Sequence, residues 1–301
     1  MSRIAVTGAS GFLGTHLQVA LERNGYALEQ VPRDVRKSED RARTWLEREK
    51  PAALVHLAGI VDVRYCTQHP LEGFQAHVTE TANLLEAVRQ GFPETPVLYV
   101  ASDKSFGEQE SCGLKTAYEP TFPYETSKAC EDMLVETYAK TYSLPIYLLR
   151  FPNFFGEADR HLERLIPGIC IALAKGQEFV VRTRLDGTVR QYIYVRDAAE
   201  IVVRTVKAAI SRQTIWPKNH FGPSHLKTVG EVIRDLEAVT GRKLNLKVLN
   251  LAGEVSRLSI KDENYLNYTY TDWLPALERT AQWYLEASAR EELSRAPLKQ
   301  A

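Results

Sequence analysis

The chain has 301 residues, of which 44% are hydrophobic and 25% are charged, enough for one large globular domain or two modest ones. Its 38 basic residues balance 38 acidic residues, which argues against a nucleic-acid or membrane-surface protein, so any phosphate contact must come from a local site. The start lacks a signal-peptide pattern, no apolar stretch is long enough to span a bilayer, and the cysteines are widely spaced, so we expect a reduced, metal-free cytoplasmic protein.

The first half of the chain alternates short apolar runs with segments of helical periodicity. The apolar runs predict buried strands, and the periodic segments predict helices. Strands are expected at 3–7, 26–31, 52–58, 96–101 and 146–150, and helices at 12–23, 38–50, 80–89 and 124–141. Because strands separated by helices pair in parallel, this half predicts an α/β fold with a doubly wound parallel sheet.

The alternation loosens in the second half. Helices are expected at 165–175, 198–209, 229–240 and 274–287, and short strands at 179–182 and 246–249. We therefore divide the chain into a sheet domain at 1–152 and a smaller C-terminal α/β lobe at 153–301. A segment near 190–210 is expected to return to the first domain.

A glycine-rich turn, Thr7-Gly-Ala-Ser-Gly-Phe-Leu-Gly14, follows the first strand and opens the first helix. The first glycine permits a sharp turn, the second lets the backbone approach a pyrophosphate, and the third lets helix and strand pack closely. This context favours a Rossmann-like dinucleotide site over a purely structural turn. The predicted cofactor contacts in the turn are Gly8, Ser10, Gly11, Phe12, Leu13 and Gly14.

The spacing Gly-x-x-Gly-x-x-Gly resembles that of the short-chain dehydrogenases/reductases. The segments His56-Leu-Ala-Gly59 and Asn83-Leu-Leu-Glu-Ala87 are similar to two blocks of the extended branch of that family, the NAD-dependent epimerases and dehydratases that modify nucleotide sugars. The resemblance covers nearly the whole chain. It implies a nucleoside-diphosphate sugar as substrate and a nicotinamide dinucleotide, NAD or NADP, as cofactor, with further contacts from Leu57, Ala58 and Gly59.

The end of the second predicted strand bears on which dinucleotide is bound. An NAD site usually has an acidic residue there for the adenosine ribose hydroxyls, whereas this chain has Pro32, followed by Arg33 and Asp34. The planar guanidinium of Arg33 can pair with a 2′-phosphate, which favours NADP. The resembling dehydratases and epimerases mostly hold NAD, and Arg33 can also be a surface residue, so both cofactors stay open.

A tyrosine and a lysine lie four residues apart at the start of a predicted helix, in Tyr124-Glu-Thr-Ser-Lys128, and therefore share one helix face. A free phenol has a pKa of about 10, and a neighbouring ammonium favours the phenolate, which makes the tyrosine usable as a base near neutral pH. The resemblance implies that Lys128 also binds the nicotinamide ribose. We predict that Tyr124 and Lys128 serve both catalysis and cofactor binding.

The segment Val100-Ala-Ser-Asp-Lys-Ser-Phe-Gly107 corresponds to the family's serine block, which assigns Ser102 a hydrogen bond to the reacting sugar hydroxyl. Epimerases of the family usually have small neutral residues at the next two positions, whereas Ser/Thr-Asp-Lys resembles the CDP-glucose 4,6-dehydratases. There, Asp103 would protonate the departing C6 hydroxyl while Lys104, or a neighbour, removes the C5 proton. A lysine can do this only if burial or neighbouring cations lower its pKa, and a solvated Asp-Lys turn is the alternative.

The second lobe carries three predicted substrate contacts. Asn153 resembles the family's asparagine that contacts the substrate diphosphate, and Arg164 and Arg190 lie in segments similar to two further blocks. Arg190 takes the position of the arginine that clamps the nucleotide phosphates, a role suited to a bidentate guanidinium. Two departures concern the substrate: His77 stands where relatives usually have asparagine, and Gln191 replaces the aspartate after the clamp arginine.

The leading interpretation is a nucleotide-sugar 4,6-dehydratase that oxidises sugar C4 transiently. The first alternative is a 4-epimerase or an NAD(P)H-dependent 4-keto reductase, in which Asp103 and Lys104 recognise the substrate. A non-catalytic dinucleotide sensor is more remote, because sensors commonly lose the tyrosine or lysine that this chain retains. The resemblance further implies a homodimer formed through the helices near 77–90 and 124–141.

Overall fold

The computed structural model describes residues 1–249 and 257–289, so the parts of the predicted second lobe at 250–256 and 290–301 lie outside the described residues. The strands are β1 Arg3–Thr7, β2 Ala27–Gln30, β3 Ala53–His56, β4 Val97–Ser102, β5 Ile146–Phe151, β6 Asn153–Phe155, β7 Glu178–Val181, β8 Val189–Tyr194, β9 Lys218–His220, β10 Leu226–Thr228, β11 Asn245–Val248 and β12 Arg257–Leu258. The helices are α1 Phe12–Arg23, α2 Glu39–Glu49, α3 Val63–Gln68, α4 Pro70–Phe74, α5 Glu80–Gly91, α6 Pro123–Thr141, α7 Leu165–Lys175, α8 Val195–Ile210, α9 Val229–Thr240 and α10 Trp273–Ala289.

Six of the described strands form a parallel sheet in the order β2-β1-β3-β4-β5-β9. The strand order reverses at β1, because β2 lies on one side of it and β3 on the other. The carboxyl ends of β1 and β3 therefore border the crevice where open α/β sheets bind ligands. The predicted α/β, Rossmann-like parallel sheet is confirmed.

Helices cover both faces of this sheet. On one face, α1 and α8 pack together, and Leu17 and Val202 share a buried core with Ile4 of β1. On the other face, α2, α5 and α6 enclose a second core that includes Trp45 and Leu85. Because both faces are covered, the central strands contain continuous apolar runs, 4–6 in β1 and 53–55 in β3, which is the pattern that made them predictable.

The second lobe has its own sheet and core. Strand β8 pairs with β6, β10 and β12, and α7, α9 and α10 pack around a core that includes Phe155, Tyr192 and Trp273. The predicted smaller C-terminal α/β lobe is confirmed. Immediately after β8 the chain enters α8, which packs on α1, and β9 then joins the edge of the large sheet.

Several elements were missed by the sequence reading. Helices α3 and α4 and a π-helical turn, Gln75–Thr79, lie between β3 and α5, where no helix was expected. They are short, and local caps rather than periodicity define them: the Asp62 carboxylate accepts the Tyr65 amide at 3.0 Å to begin α3. Strands β6, β8, β9, β10 and β12 were also missed, because short strands with mixed polarity carry no clear alternation.

Candidate active site

The glycine turn lies at the carboxyl end of β1, in the crevice described above. Gly8 has φ of +70°, a conformation that side chains disfavour, and a Cβ placed on it would lie 3.0 Å from the Cα and N of Ala58. A Cβ on Gly14 would overlap the carbonyl oxygens of Gly8 and Ala9. The local packing therefore requires glycine at both positions, independently of any ligand.

The start of α1 is open to an anion. Gly11 is the N-cap and has no side chain to bind the first amides, and Ser10 and Gly11 are exposed, whereas Leu13 and Gly14 are buried and Phe12 is half-buried. Exposed helix N-termini carry unpaired amides and the positive end of the helix dipole. This end of the fold thus fits the pyrophosphate of a dinucleotide.

The segment after β3 forms the facing wall of the turn. The amides of Leu57 and Ala58 both donate to the Thr7 hydroxyl at 3.1 Å, which fixes the end of β3 to the end of β1. Gly59 lies against the ring of His77, whose Cδ2 would be 3.0 Å from a Cβ at that position. Leu57, Ala58 and Gly59 are half-buried at the carboxyl end of β3, and their cofactor contacts stay predictions.

The predicted adenosine-binding residues lie beyond β2, in a 3₁₀ turn that spans Arg33–Lys37. Arg33 is exposed, and Asp34 forms an exposed ion pair with Arg41 at 3.3 Å. The next arginine, Arg36, is buried and pairs with Glu80 of α5 at 2.6 Å. Because Glu80 neutralises Arg36, the exposed cations of this turn are Arg33 and Lys37.

The predicted catalytic residues converge at the carboxyl end of β4. Ser102 ends that strand, and Tyr124 and Lys128 lie on the first turns of α6, inside the protein. Burial raises the pKa of the Tyr124 phenol, and the Lys128 charge and the Ser102 hydroxyl oppose that rise. The three side chains are therefore close enough to act on one another, as a hydroxyl base with a cationic neighbour requires.

Asp103 and Lys104 follow in a 3₁₀ turn with different surroundings. Asp103 is 2% exposed, its Oδ1 accepts from the Ser102 hydroxyl at 3.4 Å, and its Oδ2 has no hydrogen-bond partner among the described residues. Burial raises the pKa of this carboxyl group against the opposing charges of Lys104 and Arg190. Lys104 is partly exposed and pairs with Glu108 at 3.5 Å.

The second lobe brings two of its three predicted residues to this site. The charge of Arg164 acts on Tyr124 and that of Arg190 acts on Asp103. Arg164 also forms an ion pair with Asp159 at 3.0 Å. Arg190 forms an ion pair with Glu108 at 3.4 Å, and Lys104 pairs with the same carboxylate.

Asn153 is further from these groups. It lies on β6, half-buried, and its amide donates to the backbone carbonyl of Gln191 at 3.2 Å. Gln191 itself is buried and binds the backbone of Pro223 and Ile260. The structure therefore shows Asn153 in a link between two strands of the lobe, and its predicted diphosphate contact stays a prediction.

Comparison with known proteins agrees with this arrangement. The family model described as the NAD dependent epimerase/dehydratase family matches residues 4–216, more than half of the chain. The chain belongs to this family. The predictions of the family and of an enzyme are thereby confirmed.

Members of the NAD dependent epimerase/dehydratase family with different reactions are similar to this chain. The dTDP-glucose 4,6-dehydratase of Neisseria meningitidis is 25% identical over 95% of this chain and 94% of its own length. The CDP-glucose 4,6-dehydratase of Salmonella typhimurium is 25% identical over 87% and 80%, respectively. The solved structure of UDP-glucose 4-epimerase from Brucella ovis, in complex with NAD, has a TM-score of 0.81 at 22% identity, over 95% of this chain and 99% of that one.

A buried counterion of Lys128 was missed by the sequence reading. Glu131 is fully buried, and its Oε2 lies 2.5 Å from the Lys128 ammonium. Spacing of three residues on one helix places both side chains on the same face, so the signal was present in the sequence. An acidic residue in a helix is usually solvated, however, so this spacing alone does not predict a buried ion pair.

A buried arginine that supports the catalytic turn was also missed as a functional residue. Arg150 of β5 is fully buried, pairs with Asp132 of α6 at 2.7 Å, and donates to the Ser102 carbonyl at 2.6 Å and to the Ser105 hydroxyl. It also stacks over Phe106, 4.5 Å from the ring centroid. These partners are distant in sequence, so no local pattern could have indicated them.

Two further observations concern residues 1–249 and 257–289 as a whole. None of their helices combines the length and apolarity needed to cross a membrane. The same part of the chain holds no group of three or more His, Cys, Asp or Glu side chains that could bind a metal ion.

Proposed function

We propose that this enzyme is a nucleoside-diphosphate-sugar 4,6-dehydratase of the CDP-glucose 4,6-dehydratase type. The observation that carries the proposal is Asp103, a buried carboxyl group with a raised pKa and an oxygen that lacks a protein partner, beside Ser102. A carboxyl group whose raised pKa favours the protonated form is suited to be the general acid that loss of a sugar hydroxyl requires. Two of the named relatives are dehydratases of this class.

The residues divide the reaction between them. Tyr124, with Lys128 beside it to favour the phenolate, takes the proton of the C4 hydroxyl, and Ser102 holds that hydroxyl by a hydrogen bond. A bound nicotinamide dinucleotide supplies the chemistry of accepting a hydride and later returning it. The resulting C4 ketone acidifies the C5 proton. Lys104 or a neighbour removes that proton while Asp103 protonates the C6 hydroxyl, which leaves as water. The 4-keto-6-deoxy product would be completed when hydride adds to C6 and the group that removed the C5 proton returns it to C5.

The substrate's nucleotide is assigned to the second lobe. Arg190 and Arg164 lie next to the catalytic carboxyl and phenol groups, and their guanidinium groups match the geometry of phosphate oxygens. In a chain without net charge, these arginines concentrate positive charge where a diphosphate would lie. We assign Asn153 the remaining diphosphate contact, which the second N–H of its side-chain amide can make while the first stays on the Gln191 carbonyl.

The cofactor is NAD or NADP, held by the glycine turn and the Leu57–Gly59 wall. NAD is the dinucleotide in the solved epimerase of similar fold. The exposed Arg33, in a turn where Asp34 is engaged by Arg41, favours NADP in this chain. By the same family resemblance, the enzyme is proposed to be a homodimer that packs through α5 and α6, where Met133 of α6 is 49% exposed.

A 4-epimerase or a 4-keto reductase is the second candidate. It is favoured by one observation: Lys104 is engaged by Glu108, which also pairs with Arg190. If that pairing persists with substrate bound, Lys104 serves recognition instead of proton removal. Hydride exchange at C4, with Tyr124 and Lys128 handling the proton of the C4 oxygen, is common to all three reactions.

The mass of the product separates these candidates. The enzyme is incubated with a panel of nucleoside-diphosphate hexoses, and we expect a 4-keto-6-deoxy product lighter by one water. A product of unchanged mass would identify an epimerase. With a nucleoside-diphosphate 4-keto-6-deoxyhexose as substrate instead, a product heavier by two hydrogens and formed only with added NADPH would identify a reductase. Either result would overturn the dehydratase proposal.

Two variants test whether the proposed catalytic residues form that product. Tyr124→Phe is expected to abolish turnover while cofactor binding is retained, because it removes the base and leaves the glycine turn intact. Asp103→Asn is expected to lower water loss by at least about 100-fold, the lower range for general acid catalysis, while reduced dinucleotide still forms. Asp40→Asn, at an exposed carboxylate of α2, is the control and should match the wild type.

A further inference from the structure

A buried chain of polar side chains leads away from Lys128, through groups to which the proposed reaction gives no role. Glu131 lies next to Lys128 on α6, and its second oxygen, Oε1, accepts from the Thr81 hydroxyl of α5 at 2.8 Å. The Thr81 Oγ1 lies 2.9 Å from Nε2 of His56, which ends β3. Glu131, Thr81 and His56 are each at most 2% exposed, so water cannot substitute for any of these contacts.

The far end of the chain is the wall of the glycine turn. Nδ1 of His56 lies 2.7 Å from the Thr7 hydroxyl, and that hydroxyl accepts the amides of Leu57 and Ala58. The catalytic face of α6 is thus connected to the backbone at the carboxyl ends of β1 and β3. These are the strand ends between which the dinucleotide is proposed to bind.

The hydrogen bonds in this chain can run in one direction only. The Thr7 oxygen accepts two amides, so its single proton is donated to Nδ1 of His56. The neutral ring then carries its proton on Nε2, which donates to Thr81, and Thr81 donates to Glu131. Burial lowers the pKa of His56, which agrees with a neutral ring. Every donor therefore points towards Glu131, which accepts from Thr81 and from Lys128 and must be ionised.

We propose that Glu131 is a positioning residue that holds Lys128 as a buried ammonium beside Tyr124, and that Thr81, His56 and Thr7 fix the carboxylate in place. An isolated ammonium in the protein interior is strongly disfavoured and tends to lose its proton. Lys128 is buried, and its ammonium lies over the ring of Tyr99, 5.3 Å from the ring centroid. Without the carboxylate, Lys128 would become a neutral amine and would no longer favour the phenolate of Tyr124.

The groups that act on this pair and on Tyr124 come from several elements. Those with the largest effect on the Tyr124 phenol are Lys128, Ser102 and Arg164, and Asp103 acts on it only when ionised. The buried phenol of Tyr99 on β4 faces Glu131. Those that act on Glu131 include Lys128, His56 and His77, and those that act on Lys128 include Glu131, Tyr124 and Asp132. Burial opposes both charged forms, yet the mutual attraction lowers the pKa of Glu131 and raises that of Lys128. Ionisation of the pair therefore depends on both members.

The test measures the pKa of the phenol at position 124 directly. A fluorinated tyrosine, whose phenol ionises nearer neutral pH, is incorporated at position 124, and its ionisation is followed by fluorine NMR in the full chain without cofactor or substrate. Glu131→Gln keeps the size of the side chain and removes its charge. We expect the pKa of the phenol to rise by about one unit or more, since an ammonium at close range lowers a pKa by about 1–3 units.

Three further variants make the result specific. Lys128→Met should produce the same rise, and Lys128→Met with Glu131→Gln should produce no additional rise, because both changes remove one ammonium. Glu80→Gln is the matched control: Glu80 is also buried and ion-paired, to Arg36, and it neighbours Thr81 in the chain. Glu80→Gln should leave the pKa of the phenol at position 124 unchanged. If Glu131→Gln does not fold, Glu131→Asp withdraws the carboxylate by one methylene and should give a smaller rise.

An unchanged or lowered phenol pKa in the folded Glu131→Gln or Glu131→Asp protein would overturn the proposal, as would an equal rise in Glu80→Gln. The proposal rests on the proposed function only in taking Tyr124 as the base. Because the titration uses no sugar nucleotide, its outcome is independent of whether the product assay reports a dehydratase, an epimerase or a reductase.

Discussion

Asp103 and Lys104 are neighbours in the chain, yet the fold gives them different environments. The aspartate is enclosed, with one oxygen that lacks a partner among the described residues, whereas the lysine reaches a partly exposed carboxylate, Glu108. Burial raises the pKa of the aspartate and so favours its protonated form, whereas the lysine forms an ion pair. At the scale of single residues, we predict that the choice between dehydration and epimerisation depends on whether Lys104 exchanges Glu108 for the substrate.

A second choice at this scale is that between NAD and NADP, which we predict depends on Arg33. Arg33→Ala should lower the affinity for NADP by about 10- to 100-fold, because hydrogen bonds to charged groups contribute about 1.5–3 kcal/mol. The affinity for NAD should stay unchanged. Both dissociation constants can be measured by calorimetry, with Arg48→Ala of α2 as the exposed control. An equal loss for the two dinucleotides would show that Arg33 does not contact the 2′-phosphate.

At the scale of elements, α6 is the scaffold of the site. Within three turns it presents Tyr124, Lys128, Glu131 and Asp132 to the interior, where its apolar neighbours would normally lie. Three of these buried residues are ion-paired on this helix or to the sheet: Lys128 with Glu131, and Asp132 with Arg150 of β5. The helix is therefore held to the sheet by buried ion pairs in addition to apolar packing.

The pair between α6 and β5 gives a prediction about stability. Asp132→Asn leaves the buried Arg150 without its counterion, and loss of one partner of a buried pair costs about 3–5 kcal/mol in the free energy of unfolding. Glu200→Gln breaks an exposed pair with Arg204 on α8 and should cost only about 0.3–0.5 kcal/mol. Urea unfolding measures both. Similar costs for the two variants would contradict a special role of the buried pair.

At the scale of the whole molecule, residues of both lobes contribute to the proposed active site. The large sheet supplies the glycine turn, Ser102 and Tyr124, while Arg164 and Arg190 come from the second lobe. Helix α8 follows a strand of the second lobe and packs on α1, so covalent continuity and apolar packing join the lobes. The relative placement of the lobes thus decides which phosphate-binding groups face the catalytic residues.

Stability of the whole fold should depend on pH through buried neutral histidines. Burial, assisted by Lys128, lowers the pKa of His77 to about 4, and burial, assisted by Arg150, lowers that of His220 to about 3. Unfolded histidines have a pKa of about 6.5, so the unfolded chain binds protons that the folded chain does not. The resulting stability is fully present above about pH 6.5 and is lost as the pH falls towards 4. For His77 the loss is roughly 3 kcal/mol.

Urea unfolding of wild type and of His77→Asn at about pH 7.5 and about pH 4.5 checks this prediction. The variant should lose less stability between the two pH values than the wild type, because asparagine does not titrate. Glu131 also acts on His77, so the same comparison in Glu131→Gln measures its share. Parallel losses in wild type and His77→Asn would show that His77 makes no contribution in this window.

Much of the fold could be predicted because its central elements are buried on both sides. Strand β1 and helices α1, α7 and α9 have the predicted bounds, since continuous apolar runs and helical periodicity record burial directly. The short strands of the second lobe that were missed show no such pattern in the sequence. Their pairing depends on partners far along the chain, as when β12 meets β8.

The sequence by itself determined the parallel sheet, the glycine turn and the spacing of Tyr124 and Lys128, because each depends on residues close together in the chain. It also contained Glu131 three residues after Lys128, but not the reason for it. Only the tertiary structure decided that Glu131 is buried, that Asp103 keeps an oxygen without a partner, and that Arg150 supports the catalytic turn. Burial and counterions are set by elements distant in sequence, and they determine which side chains are ionised.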